Sequence, residues 1–346
     1  MSRFLSKASE SLLPYTPGEQ PQGRKFIKLN TNECPYPPSP KVAEAILAGY
    51  EEIAAGCGTA GAAGRAEKAD CGCDAGATEA GKMAEKVAQI MPPELANLRL
   101  YSDPEERVLI EAIAAHYRVG TNQVIAGNGS DEILGFAFRA FCDSEAPLQF
   151  ADLTYGFYPA LCGLYGIPFR VVPLEEDFTL NIEPYKNCGN NVIIANPNAP
   201  TGMNLPLSAL EEVAASNPDR VVMVDEAYVD FGGESCVSLL PKYENLVIIQ
   251  TFSKSRSLAG ARVGFAIANP ELIADMNRIK YSFNPYNVNR LSILAGAAAM
   301  RDWDYTKECT GRICKTREKT TEALRALGFT VLDSKTNFIF AKSGDM

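Results

Sequence analysis

Between about residue 104 and residue 280, short apolar runs rich in β-branched residues alternate with helical patterns. Several runs are continuously apolar, which is typical of strands covered by helices on both faces. The predicted strands are Gln123–Ala126, Leu148–Phe150, Arg170–Val172, Val192–Ala195, Val221–Val224, Val247–Gln250 and Arg262–Ala268. The predicted helices are Pro104–Tyr117 with Asp103 as N-cap, Ser130–Phe141, Tyr155–Gly163, Ser208–Ala215 and Pro270–Ile279. The alternation predicts an α/β fold with a mainly parallel sheet, whose ligands bind beyond the carboxyl ends of the strands.

Length and charge narrow the class of protein further. The chain has 346 residues, and single cores stop growing at roughly 250–300 residues, so we expect two domains. The formal charge is −9 and no Lys/Arg-rich block occurs, which argues against nucleic acid or an anionic membrane as the main partner. The sequence has neither a signal peptide nor an apolar stretch of roughly 20 residues, so we expect a cytoplasmic protein that binds a small molecule.

Histidine and cysteine usage restricts the chemistry. The single histidine, His116, argues against Ser-His-Asp catalysis, Cys-His nucleophiles and multi-histidine metal sites. Ten scattered cysteines are typical of reduced thiols in a large chain without an export signal, and Cys57, Cys71 and Cys73 match no paired zinc pattern. We therefore expect no metal site, and a catalytic base that is Lys, Tyr or a carboxylate.

A lysine follows one of the predicted strands. In VIIQTFSKSRSLAGARVG the strand ends near Ser253 and Lys254, and Arg262 comes eight residues after that lysine. A lysine amine in such a position can form a Schiff base when its pKa is lowered. Taken alone, these residues favour a different interpretation, a solvated loop lysine with a surface arginine, which is what most Lys and Arg residues are.

Other predicted strands end in residues that suit the same ligand. Asp225 ends the run VVMVD, where a carboxylate can cap a helix or keep a pyridine nitrogen protonated. The glycines of VIAGNGSDEIL, including Gly129, precede a helix that opens with Ser130 and Asp131, which suits a phosphate. Tyr155 can lie flat on a ligand ring or pack in the core. A lysine, an aspartate, a phosphate cradle, an arginine and a flat aromatic, all placed after strands, together predict pyridoxal 5'-phosphate.

Several motifs in order carry a family resemblance. They are LNTNECPYPPSP, LRLYSDP, GNGSDEIL, TYGFY, NPNAPTG, VDEAYVDF, TFSKSRSLAGARVGF and TNFIF. With them the chain resembles the fold-type I pyridoxal-phosphate aminotransferases, and within them the histidinol-phosphate aminotransferases. The resemblance implies a large α/β domain with helices on both faces of a mainly parallel sheet, and a small α/β domain.

The resemblance also implies roles for matched residues. Lys254 is expected to form the imine with the cofactor and Asp225 to pair with its ring nitrogen. Tyr228 is expected to hydrogen-bond the phenolic oxygen and Tyr155 to stack on the ring. The remaining residues are expected to hold the phosphate, through backbone amides at the helix start and through side chains: Gly129, Ser130, Asp131, Ser253 and Arg262.

Three further matches concern the substrate and the assembly. Tyr101, in LRLYSDP, resembles a tyrosine that reaches the cofactor phosphate of a partner subunit, which implies a homodimer with shared active sites. Tyr15 and Asn32 resemble positions that face the amino or keto substrate.

The sequence departs from the family pattern at three places. Position 199 is Ala where the family commonly has Asn, so a side-chain bond to the phenolic oxygen is missing and Tyr228 is expected to supply one. Segment 54–91, rich in Ala, Gly, Cys and charge, predicts a flexible insertion. The sequence stops in a strand-like run, before the family's arginine for the substrate carboxylate, which predicts an incomplete small domain.

These features give a predicted organisation and three functional hypotheses. Residues 1–40 are expected to form an N-terminal arm and part of the small domain, residues 41–280 the large domain with its insertion, and residues 281–346 the rest of the small domain. The first hypothesis is transamination of L-histidinol phosphate with 2-oxoglutarate. The others are a sister enzyme, such as a threonine-phosphate decarboxylase or an aromatic-type aminotransferase, and a catalytically impaired homologue.

Overall fold

The computed structural model of the chain describes Asn32, Cys34, residues 36–46 and residues 101–343. Tyr15 and segment 54–91 lie outside the described residues, so the expectations for them stay predictions.

In the described residues, a seven-stranded sheet forms the centre of the molecule. Its strands are β1 (Val124–Gly127), β2 (Leu148–Ala151), β3 (Phe169–Val172), β4 (Asn191–Ala195), β5 (Val222–Asp225), β6 (Leu246–Thr251) and β7 (Gly264–Ala268). Their order is β1-β7-β6-β5-β4-β2-β3. Strand β7 runs antiparallel to both neighbours, and the other pairs are parallel. The predicted mainly parallel sheet is therefore confirmed.

Helices cover both faces of this sheet. They are α1 (Arg107–Tyr117), α2 (Ser130–Phe141), α3 (Phe157–Tyr165), α4 (Leu207–Ser216), α5 (Pro270–Phe283), α6 (Arg290–Arg301) and α7 (Trp303–Ala326). Residues 40–46 are also helical. Within the described ranges, no helix combines the length and the apolar character that crossing a bilayer requires.

Alternate strand residues supply two hydrophobic cores. Leu246 and Ile248 of β6 belong to one core, with α1, α4 and α6, whereas Val247 and Ile249 belong to the other, with α2, α3 and α5. Successive strand side chains point to opposite faces, so a strand buried on both faces must be apolar throughout. This explains why these runs lack a polar alternation.

Element ends differ from the predictions by a few residues. The first helix begins at Arg107 instead of Pro104. Asp103 does accept the backbone N–H groups of Glu105 and Arg107, but Glu106 has a φ of 44°, and this left-handed residue interrupts the turn. Strand β7 begins at Gly264, two residues later than predicted, because Arg262 is also left-handed, with a φ of 52°. Helix α6 was not predicted.

A second, two-stranded sheet follows α7. Strand β8 (Thr330–Val331) pairs antiparallel with β9 (Ala341–Lys342). The segment between them packs on the carboxyl edge of the large sheet, where the Lys335 N–H donates to the Gly202 carbonyl at 2.8 Å.

A buried ion pair joins the start of α1 to α5. The Lys280 Nζ donates to Glu106 Oε1 at 2.7 Å, and both side chains are 2% exposed. Lys280 also donates to the Pro104 carbonyl at 3.3 Å. A buried charge that loses its partner is strongly destabilising, so this contact fixes the entrance to α1.

We expect Lys280→Met to lower the free energy of unfolding by about 3 kcal/mol, because Glu106 stays buried without its cation. Urea unfolding measures the change. The double variant E106L/K280M should regain most of the loss, and Lys307→Met, which breaks an exposed pair with Asp304, should change stability little. A K280M loss no larger than that of K307M would contradict this account.

Candidate active site

A pocket lies where β4, β5 and β6 end and α2 begins. The cavity has a volume of about 130 Å³ and is partly open to solvent. Its lining includes eight residues predicted from the sequence, and the full lining is Ser130, Asp131, Tyr155, Ala195, Pro197, Ala199, Asp225, Ala227, Tyr228, Thr251, Ser253, Lys254 and Arg262.

One end of the pocket is a backbone cradle. Gly129, with a φ of 81°, precedes the first turn of α2, and a Cβ on it would lie 2.5 Å from the Arg262 guanidinium. A Cβ on Gly264 would lie 2.3 Å from the Ser130 nitrogen. Glycine at both positions therefore lets the arginine and the N-terminus of α2 meet. Helix N-termini favour anions, so this end suits a phosphate.

Asp131 joins the cradle to the aromatic wall. Its Oδ2 accepts from Arg262 Nη2 at 3.1 Å, and its Oδ1 accepts from the Tyr155 hydroxyl at 2.9 Å. The Arg262 side chain is 48% exposed. The Asp131 carboxylate thus orients two predicted site residues, a role that sequence reasoning did not assign to it.

The opposite end of the pocket holds a buried carboxylate. Asp225 ends β5, is 4% exposed, and accepts the Ala227 N–H at 3.2 Å and the Tyr158 hydroxyl at 2.7 Å. Burial raises the pKa of Asp225 to about 6, against the lowering effect of these hydrogen bonds and of Lys254. A carboxylate of this kind can stabilise a cationic ring nitrogen.

Lys254 stands between the two ends. It follows β6, and its Nζ lies 5.7 Å from the centre of the Tyr228 ring. Three residues before it, the Thr251 hydroxyl donates to Ser253 Oγ at 3.0 Å and accepts the Ser253 N–H at 3.1 Å. The end of β6 thereby fixes the turn that presents Ser253 and Lys254 to the pocket.

Asn32 comes to the same site from far along the chain. Its Nδ2 donates to the Tyr228 hydroxyl at 3.1 Å, and its carbonyl accepts from Asn337 Nδ2 at 3.0 Å. The Phe338 ring packs edge-on against Tyr228, with 5.2 Å between the ring centres. The N-terminal part and the segment after α7 therefore meet above the same tyrosine.

The loop after β4 places Ala199 in the pocket lining. Asn196 and Asn198 are buried and point away, since Asn196 Oδ1 accepts the Leu205 N–H at 2.7 Å and Asn198 Nδ2 donates to the Leu153 carbonyl at 3.0 Å. The two asparagines hold the loop, and position 199 contributes a methyl group to the site.

Tyr101 is absent from the pocket lining of the described residues. Its side chain is 77% exposed and stacks on Tyr286, with 4.3 Å between the ring centres. Its carbonyl accepts from Arg290 Nη2 at 2.9 Å. Within one chain, Tyr101 therefore points outward.

Sequence reasoning missed four residues that shape the site. Thr251 and Tyr158 support Ser253 and Asp225, and Asn337 and Phe338 support Asn32 and Tyr228. A signal was present for Tyr158, which lies three residues after Tyr155 and so one helical turn further. Asn337 and Phe338 stand in the TNFIF motif, to which no role was given.

The chain is similar to known aminotransferases. The family model of aminotransferase class I and II matches residues 78–346. A histidinol-phosphate aminotransferase of Brachyspira hyodysenteriae is 44% identical over 341 residues, which cover 98% of this chain and 84% of that protein. Histidinol-phosphate aminotransferase 2 of Dechloromonas aromatica is 45% identical over 343 residues, covering 99% and 85%.

Solved structures show the same fold. The histidinol-phosphate aminotransferase of Clostridium acetobutylicum superposes with a TM-score of 0.67 at 25% identity, covering 73% of this chain and 77% of that one. The enzyme of Sinorhizobium meliloti, solved with pyridoxal-5'-phosphate, has a TM-score of 0.71 at 23% identity, covering 91% and 74%. The chain therefore belongs to the class I and II aminotransferases, and within them to the histidinol-phosphate aminotransferases, with the fold-type I architecture that its motifs predicted.

Proposed function

We propose that this chain transaminates L-histidinol phosphate with 2-oxoglutarate, giving imidazole acetol phosphate and L-glutamate, with pyridoxal 5'-phosphate as cofactor. The observation that carries the proposal is the convergence of Lys254, Asp225, Tyr228 and Arg262 on one pocket at the carboxyl edge of the sheet. The 44–45% identity to histidinol-phosphate aminotransferases over nearly the whole chain supports the substrate.

The cradle fits the cofactor's phosphate. The backbone N–H groups of Ser130 and Asp131 at the start of α2, the Ser253 hydroxyl and the Arg262 guanidinium supply donors of the kind a dianion requires. The close approach of Gly264 to Ser130 shows that this end of the pocket is built around backbone and leaves no room for another side chain there.

The rest of the pocket fits the ring. Tyr155 presents an aromatic face, and Asp225 presents a buried carboxylate to the ring nitrogen. The Tyr228 hydroxyl accepts a hydrogen bond from Asn32, and in this proposal it donates one to the phenolic oxygen. The phenolic oxygen therefore keeps a hydrogen-bond donor, although Ala199 has no side-chain amide. We propose that the amino or keto substrate lies on the Asn32 side of Tyr228 and that Tyr15 also faces it.

Lys254 has the central chemical role. When bound, the cofactor supplies an aldehyde carbon that receives the substrate's amino group and a ring that accepts the electron pair from Cα. The Lys254 amine would take up the proton from the substrate's Cα and then give it back, as a general base and then a general acid. Asp225 would hold the protonated ring nitrogen.

We also propose a homodimer in which Tyr101 reaches the cofactor phosphate of the partner. The exposed aromatic pair at this position supports this, because Tyr101, which is 77% exposed, stacks on Tyr286, which is 41% exposed. Exposed aromatic surface of this kind is typical of interaction sites.

The domain division and the location stay proposals. We assign residues 1–40 to an arm and part of a small domain, residues 41–280 to the cofactor-binding domain, and residues 281–346 to the small domain. The separate β8–β9 sheet supports the last assignment only for the residues around that sheet, since α6 packs in a core of the large sheet. A cytoplasmic location is supported by free thiols at Cys142, Cys162 and other described cysteines.

The first test is the half-reaction with L-histidinol phosphate. We expect the visible band of the bound cofactor to fade and the pyridoxamine phosphate band to rise. Lys254→Ala should slow this conversion by at least about 100-fold, because the proton carrier is lost. Lys242→Ala, at a surface lysine paired with Glu211, serves as control. Carbon dioxide release from phosphothreonine, or a normal rate for K254A, would contradict the proposal.

Arg262 provides a test of the phosphate cradle. We expect Arg262→Ala to weaken binding of pyridoxal phosphate about tenfold or more, because a charge-assisted contact to the phosphate is removed. Binding of pyridoxal, which lacks the phosphate, should change little. Titration with both ligands measures the difference, and an equal loss for both would show that Arg262 does not contact the phosphate.

Tyr101 can be tested by mixing subunits. We expect Tyr101→Ala and Lys254→Ala proteins, each poorly active, to recover about a quarter of the wild-type activity after mixed refolding, because half of the dimers then hold one intact site. A mixture of Lys254→Ala with wild type serves as control for refolding. No recovery would mean that Tyr101 does not serve the partner's site.

A further inference from the structure

Tyr158 is the most deeply buried polar side chain in contact with the site. It lies in the first turn of α3 with no exposed surface, and its hydroxyl donates to Asp225 Oδ2 at 2.7 Å. Its ring packs against Phe150, Phe138 and Tyr155, with centres 5.8, 6.2 and 5.6 Å away. The ring is thus held by packing, and the hydroxyl is aimed at the carboxylate.

We propose that Tyr158 is a positioning residue for the transamination, whose hydroxyl keeps Asp225 ionised and oriented toward the cofactor's ring nitrogen. The inference rests on the role proposed above for Asp225. Tyr158 does not line the pocket, so it acts through the aspartate and does not touch the ligand.

The charges around Asp225 explain why the hydroxyl matters. Burial raises the pKa of Asp225, and Asp131 raises it further, whereas the Tyr158 hydroxyl, the Ala227 N–H and Lys254 lower it. A neutral carboxylic acid cannot stabilise a positive ring nitrogen, so the site depends on the groups that lower this pKa. Without the Tyr158 hydroxyl, fewer groups counteract the rise that burial causes in the pKa of Asp225.

Tyr158 itself remains a donor at every working pH. Burial raises its pKa well above the ordinary tyrosine value, and Asp225, Tyr155 and Tyr228 raise it too. The proton of this hydrogen bond therefore stays on Tyr158.

The same short segment also orients the other end of the pocket. Tyr155 donates to Asp131, which accepts from Arg262, while Tyr158 donates to Asp225. One turn of chain between residues 155 and 158 thus sets the carboxylates at both ends of the pocket. A shift of this segment would move both ends together.

The experiment replaces Tyr158 by Phe, which keeps the packed ring and removes the hydroxyl. Tyr165→Phe is the matched control, since Tyr165 ends the same helix and lies outside the pocket. Three quantities are measured: the dissociation constant of pyridoxal phosphate against pH, the pH profile of kcat, and thermal unfolding of the cofactor-free protein.

We expect Y158F to move the acid limb of the kcat profile to higher pH, because the pKa of Asp225 rises without the hydroxyl. Below that limb, cofactor binding should weaken about tenfold, the effect of losing one hydrogen bond to a charged group. At higher pH, where Asp225 is ionised in both proteins, the difference should shrink. Y165F should match the wild type throughout.

One further variant keeps the inference testable if Y158F unfolds. Incorporating 3-fluorotyrosine at position 158 supplies a more acidic donor of nearly the same shape, and it should move the acid limb to lower pH. If Y158F folds, adding it to D225N should cause no further loss of cofactor affinity.

The outcomes separate this inference from the proposed function. If D225N weakens binding and turnover while Y158F behaves like Y165F, Tyr158 has no positioning role and the function proposed above stands. If D225N itself behaves like the wild type, the role of Asp225 is wrong and the inference falls with it. A Y158F loss that is the same at every pH is a packing effect and overturns the inference.

Discussion

The contact between Gly264 and the N-terminus of α2 is the constraint on which the site depends. At this point two backbone segments touch, and a Cβ on Gly264 would lie 2.3 Å from the Ser130 nitrogen. Strand β7 is the antiparallel strand of the sheet, and it pairs with both β1 and β6. Because β7 lies between the strand that leads into α2 and the strand that leads into Lys254, this approach sets the distance between the phosphate cradle and the lysine turn. Arg262 lies two residues before Gly264, and its guanidinium packs close to Gly129.

A buried polar network beneath the pocket completes this arrangement. Arg256, two residues after Lys254, is 3% exposed and donates to Asp230 at 2.9 Å and to the Tyr117 hydroxyl at 3.2 Å. Tyr117 donates to Gln250 at 2.6 Å, and the Gln250 amide donates to Glu226 at 2.9 Å. Glu226 directly follows Asp225, and Asp230 lies two residues after Tyr228. The network therefore ties together the turns that carry the lysine, the aspartate and the tyrosine. Leaving such groups unpaired is costly, so these turns are fixed relative to one another.

Sequence reasoning was most successful where the pattern of apolar residues and the chemistry of the residues next to it indicate the same structure. The buried strands were found because runs such as Val221–Val224 are continuously apolar, and Asp225 and Lys254 were found because they come after such runs. It failed where a local rule was overridden. Proline at position 104 predicted the start of a helix, yet Glu106 is left-handed and bonds to Lys280 across the core, so α1 begins later. The pattern of residues along one sequence does not indicate that Glu106 and Lys280 form a pair.

The sequence by itself determined the fold class and the family and singled out the candidate site residues, since each depends on residue type and on spacing along the chain. Tertiary structure decided which of these residues meet. It placed Asn32 on Tyr228 across 196 positions of sequence, Tyr158 under Asp225 across 67, and Tyr101 on the outer surface. The physical reason is that a hydrogen bond or a close packing contact depends on distances of a few ångströms. Those distances are set by how the strands order themselves in the sheet and how the helices pack on it.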